Sequence, residues 1–99
     1  MIDVTPGYLQ IIKDIIKKNI PEYEVRAFGS RVTGKAKTYS DLDLVIMSSI
    51  PVDKKILYAT EEDFAESNLP FRIDILDWQT IPESFQKIIN EKYESIIES

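Results

Sequence analysis

The sequence contains no cysteine and no histidine, and only three glycines and one tryptophan among its 99 residues. Without cysteine there is no disulfide framework, no thiol nucleophile and no thiolate-held zinc or iron–sulfur centre. Without histidine the serine–histidine–aspartate triad and the usual zinc sites are excluded too. Any catalysis must therefore rest mostly on carboxylates. Long apolar runs are also missing, since nothing approaches the roughly 20 consecutive apolar residues of a membrane span. The opening MIDVTPGYLQ has neither the basic region nor the apolar core of a secretory signal. The expectation is a cytoplasmic protein with no membrane attachment.

Basic residues are in deficit. Twelve Lys and Arg against seventeen Asp and Glu give a net charge of -5 and a pI near 4.7. That balance opposes general binding to phosphate backbones, so no stable nucleic-acid binding is expected. At 43% hydrophobic and 29% charged residues, the composition is that of a folded chain rather than a disordered one. Residues 1–99 read as a single domain, with no room for a separate substrate-binding domain.

Thr5-Pro6 marks a helix start, and Leu9, Ile12, Ile16 and Ile20 recur at helical spacing until Pro21 ends the run. From Tyr23 to Phe28 the segment YEVRAF alternates as a strand and stops at Gly29-Ser30. Residues 31–40 are polar and read as a loop or one short helical turn. DLDLVIM, Asp41 to Met47, makes the second strand, alternating at first and then wholly apolar. Residues 53–67 carry Ile56, Leu57, Thr60, Phe64 and Ala65 at helical spacing, and FRIDILD over 71–77 is a third strand. Pro82 opens a final helix whose apolar stripe runs through Phe85, Ile88, Ile89, Tyr93, Ile96 and Ile97. The fold class is α/β (α+β): a two-layer mixed β-sheet of about three strands flanked by helices.

Asp41 and Asp43 stand two apart on a strand, so both carboxylates project from one face while Leu42 and Leu44 point to the other. Like charges this close disfavour each other's ionised form unless something positive lies between them, and an all-oxygen donor set suits Mg²⁺. Asp74 interrupts an apolar strand and is the third candidate; with it the site has carboxylates enough for two metal ions. Taken singly, each acid also has an ordinary reading: Asp41 in a turn with Ser40, Asp43 as a solvated strand-end charge, Asp74 paired with Arg72 or another base.

Gly29-Ser30 is an ordinary strand-ending turn or a place where backbone N–H groups and a hydroxyl cradle a triphosphate. Charge distribution separates the two. Arg26, Arg31, Lys35 and Lys37 fall between Val25 and Ser40 with no acid among them. A basic loop beside an acidic strand suits a metal–nucleotide complex, with phosphates on Arg31, Lys35 and Lys37 and metal on the aspartates. Strand alternation directs Arg26 away from this site.

The combined string GSRVTGKAKTYSDLDL, residues 29–44, resembles the signature of the DNA polymerase beta-like nucleotidyltransferase superfamily: Gly-Ser, ten residues, Asp-x-Asp, then a later strand aspartate. With the short length, the chain looks most like the minimal nucleotidyltransferases of prokaryotes, the MNT or MntA-type antitoxins that accompany HEPN-domain toxins. No glycine follows Gly34, whereas many relatives carry one near the last helix. The resemblance implies that Gly29 and Ser30 hold nucleotide phosphates and that Asp41, Asp43 and Asp74 bind Mg²⁺, as two ions, with Asp74 also helping to activate the nucleophile. It further implies ATP as substrate and a HEPN toxin as partner, an RNase neutralised by AMP transfer to a tyrosine. Two alternatives stay open: transfer to a small acceptor such as an aminoglycoside, and an antitoxin that neutralises by binding alone.

Overall fold

Alternating apolar residues need two different partners, one for each face of a sheet, and the chain supplies them from its two ends. The computed structural model describes residues 2–97. Helix α1 spans Pro6–Asn19, with Pro6 at its first position. Thr5 occupies the cap position through its backbone carbonyl, which accepts from the Leu9 N–H at 2.9 Å, while its hydroxyl makes no capping bond. Strand β1 is Glu24–Phe28, the single-turn helix α2 is Ser30–Thr33, and strand β2 is Leu42–Met47. Helix α3, Lys54–Ala65, is capped by Asp53, whose carboxylate accepts from the Lys55 N–H at 2.8 Å. Strand β3 is Ile73–Asp77, followed by a short 3-10 turn, helix α4 over Glu83–Glu91 and strand β4 over Glu94–Ile97.

The final helix is therefore shorter than the sequence pattern suggests, and the sheet has four strands instead of three. The chain becomes extended at Lys92, so Phe85, Ile88 and Ile89 lie on α4 whereas Ile96 and Ile97 lie on β4. The cause is tertiary. β4 pairs antiparallel with β1 and buries Ile96 in the sheet's core, a contact that outweighs continued helical periodicity.

The strand order is β3-β2-β1-β4, with β1 antiparallel to both neighbours and β2 parallel to β3. Helix α3 makes the crossover between the two parallel strands. On one face Val25, Ala27, Leu42, Leu44, Ile46 and Ile75 pack with Ile12 and Ile16 of α1 and Phe64 of α3. Each fully buried aliphatic side chain there contributes about 1.5–3 kcal/mol relative to exposure. The other face is thinner: Phe28 and Val45 meet Ile89 of α4, with Phe85 set edge-on to Phe28 at 5.8 Å.

Buried Asp77 fixes the far ends of β2 and β3. Its carboxylate accepts from Ser48 Oγ at 2.5 Å, from the Val52 N–H at 2.7 Å and from the Gln79 N–H at 3.1 Å. Among the described residues, no helix is long and apolar enough to cross a membrane.

Candidate active site

The thin face carries the acids. β1 pairs with β2 so that Phe28 lies opposite Asp43, and β2 pairs with β3 so that Asp43 lies opposite Asp74. Asp43 thus stands at the crossing of three strands, half-buried, with Asp41 just before β2 and exposed. Burial, then the charge of Asp74, then that of Asp41, push the Asp43 carboxyl above its ordinary value, and Arg72 partly opposes them. A cation placed among these carboxylates would remove that penalty.

The chain turns out of β1 at Gly29, where φ is 81°. A side chain is excluded there twice, because the left-handed backbone strains any L-residue and a Cβ would collide with Asp43 Oδ2. The glycine brings the backbone directly onto the carboxylate. Ser30 then opens α2, a position where helix N–H groups have no partner within the helix. Gly34, also left-handed at φ 82°, ends that single turn, its N–H donating to the Ser30 carbonyl. Beside Gly29 and Asp43 lies a cleft of about 360 Å³, floored by Phe28 and Phe85 and reached by Ile88 and Lys92 of the α4 end.

The basic loop divides. Lys35 and Lys37 are exposed. Arg31 is not available for phosphates: it is 6% exposed, and its three guanidinium nitrogens donate to the carbonyls of Ser40 at 2.8 Å, Asp3 at 2.8 Å and Thr38 at 3.0 Å. The same group sits 4.0 Å above the Phe71 ring. Arg31 is a clamp that shapes the loop. Arg26 shares the parity of Phe28 and hence the face of Asp43, contrary to the alternation argument. It is turned to Glu24 at 2.9 Å and to the Tyr93 ring at 4.2 Å, which keeps it from the acids by distance along the sheet.

Arg72, considered in the sequence only as a pairing partner of Asp74, is a residue of the site. Its Nε and Nη2 both donate to Asp74 Oδ1, at 3.0 and 2.7 Å. The hydrogen bonds to Asp74, its charge, and then those of Asp41 and Asp43 raise the guanidinium's own pKa. Its position two residues before Asp74 in the extended FRIDILD segment was the available signal. Among the described residues no three acids already form a closed metal cage. Asp43 and Asp74 share one face of adjacent strands, with Asp41 just before β2 and Asp74 held by Arg72.

Comparison with known proteins gives concordant results. A family model described as a nucleotidyltransferase domain matches residues 9–98. The chain is 49% identical over 92 residues to a probable protein adenylyltransferase MntA of Haemophilus influenzae, covering 93% of this chain and 81% of that protein. A crystal structure of a toxin-antitoxin with AMP-PNP superposes with a TM-score of 0.76 at 18% identity, over 92% of this chain and 73% of that one. A tri-AMPylated Shewanella oneidensis HEPN toxin in complex with MNT antitoxin gives 0.67 at 17% identity, over 92% and 70%. The last two establish likeness of fold.

Proposed function

The chain belongs to the nucleotidyltransferase domain family, and from that premise we propose that it transfers AMP from ATP to the tyrosine hydroxyl of a HEPN-domain toxin, for which it is the antitoxin. The observation that carries this reading is the triple coincidence at Asp43. A side-chain-free turn abuts it on one side, Asp74 is its register partner on the other, and the charge of Asp41 acts on it from two residues earlier.

The donor set is carboxylate oxygen only, which fits a hard divalent cation, and the raised pKa of Asp43 marks a place where positive charge is wanted. Asp41, Asp43 and Asp74 would hold Mg²⁺, as two ions, which when bound supplies charge stabilisation at the α-phosphate and eases ionisation of the acceptor hydroxyl. The chain's own residues do the rest. Gly29 leaves room for phosphate oxygens against the backbone, the Ser30 hydroxyl and the first N–H groups of α2 bind them, and Lys35 and Lys37 offset their charge. Asp74, with Oδ1 fixed by Arg72, presents its other oxygen to accept the phenolic proton. The phenol oxygen bonds to the α-phosphorus, the bond from that phosphorus to the bridging oxygen breaks, and pyrophosphate leaves. A tyrosine of ordinary pKa near 10 needs this assistance at neutral pH.

The relatives support the reading: the Haemophilus influenzae protein is named a protein adenylyltransferase, and the Shewanella oneidensis complex holds a HEPN toxin carrying AMP. The test incubates the protein with α-phosphate-labelled ATP, Mg²⁺ and the HEPN-domain partner, beside an Asp41→Asn/Asp43→Asn double variant. Label on the partner that disappears with the aspartates is the expected result. Toxin inhibition that persists without ATP and in the double variant would replace catalysis with neutralisation by binding. Turnover of a free aminoglycoside without any protein partner would point to a small-molecule acceptor instead.

A further inference from the structure

A transferase needs two entrances, and the acids of this site are flanked by two cavities. The cleft at Gly29 and Asp43 lies on the β1 side of the pair. A larger groove, about 500 Å³, is lined by Glu61 and Ala65 of α3, by Leu69, Phe71 and Arg72 of the segment that leads into β3, and by Asp74 of β3. The cavities between the N-terminal segment and β4, under Tyr39, and at the end of α1 touch none of the three acids.

Resting on the transferase reading above, we infer that the β3 groove is the docking channel for the acceptor tyrosine and the extended segment that carries it. Three observations point there. First, Asp43 and Asp74 are direct register partners and each lines a different cavity, so the two cavities adjoin the same carboxylate pair. In-line displacement needs separate approaches for the attacking oxygen and the leaving pyrophosphate, which lie on either side of the phosphorus. Second, the groove is amphipathic, as a phenol requires: Leu69, Phe71 and Ala65 offer hydrocarbon beside the polar Glu61 and Arg72, and the Asp74 carboxylate can receive the hydroxyl. Third, β3 is an edge strand, paired only with β2 among the described residues. Its outer backbone groups can pair with an incoming extended segment, which would aim alternate side chains at the groove.

Arg72 gains a role in this arrangement. Its side chain is 74% exposed and lines the groove, bound to Asp74 Oδ1. It is a positioning residue that keeps the second carboxylate oxygen directed to the arriving hydroxyl.

The test fills the groove without touching the acids or the core. Ala65 is exposed on α3, so Ala65→Trp should fold as the wild type and Ala65→Ser serves as the matched control. With a HEPN-domain toxin and ATP as substrates, Ala65→Trp should raise KM for the toxin about tenfold or more, with the affinity for an ATP analogue unchanged. Independently of turnover, toxin binding to the Asp43→Asn variant should slow amide exchange over residues 69–75. An unchanged KM in Ala65→Trp, a loss of nucleotide affinity in that variant, or protection that falls elsewhere on the chain overturns the groove assignment. So does protection of the same residues by a second copy of this chain without toxin. Absence of AMP transfer by the wild type would fall on the proposed function, while the exchange measurement still decides the groove.

Discussion

The two faces of the sheet are built from the same strands and do opposite work. Leu42, Leu44 and Ile46 are fully buried against α1 and α3, while their alternate neighbours Asp43 and Met47 are half-covered on the α4 side. One face concentrates the apolar burial and the other leaves an opening in which carboxylates crowd. In β2 a single residue of register separates stability from chemistry. At the Gly29 end of β2 parity tells what a substitution will do, whereas Val45, on the face of Asp43, is fully buried against Ile89.

The sharpest way to break that comparison is to substitute neighbours. Asp43→Asn should abolish AMP transfer on the order of 10³-fold, by analogy with removing one electrostatic stabiliser from a catalytic site, while leaving the melting temperature near the wild-type value. Leu44→Ala, the next residue, should cost about 2–5 kcal/mol of stability by denaturant unfolding, with nucleotide affinity retained in the folded fraction. If Asp43→Asn unfolds the protein, the division between faces is wrong.

A second experiment asks whether the basic loop belongs to the site or to the scaffold. Arg31→Lys keeps the charge but loses the fork that reaches three carbonyls, so it should destabilise by about 2 kcal/mol. Nucleotide affinity, measured by equilibrium binding, should change little. The reverse pattern would return Arg31 to the phosphates.

The smallest effect is a pH dependence confined to the acid face. Because the folded-state pKa of Asp43 lies above its unfolded value, the native state holds the proton more firmly. Its contribution to stability is complete below about pH 4, the unfolded carboxyl range, and is lost as pH rises through the folded value. Thermal melts of wild type and Asp43→Asn should therefore diverge upward from that pH, with the asparagine variant gaining relative to wild type. Parallel curves would mean that burial and the neighbouring acids do not penalise the charge.

Much of this was legible in the residues. DLDLVIM declares its own two faces, Gly29-Ser30 marks the turn, and Asp74 is conspicuous as a charge inside an apolar strand. What escaped depends on contacts distant in sequence. Nothing local stops the helix at Glu91, since neither glycine nor proline follows and Ile96 and Ile97 continue the apolar stripe; β1 recruits them as a strand. Arg31 counts as one positive charge in any tally, and only the convergence of Asp3, Thr38 and Ser40 carbonyls reveals that its donors are already engaged. Asp77 gave no signal either, because its partners Ser48 and Val52 come to it through the β2–α3–β3 crossover.

The pairing of β1 with β4 carries a meaning for the newborn chain. Val25 finds its partner in Ile97, roughly 70 positions later. At synthesis rates of roughly 5–20 residues per second, one edge of β1 waits about 4–14 s for the strand that will cover it. During that interval the strand leading into Gly29 offers unpaired amides to any other nascent chain within reach, so crowding on the ribosome is the circumstance in which this protein is most exposed to mispairing.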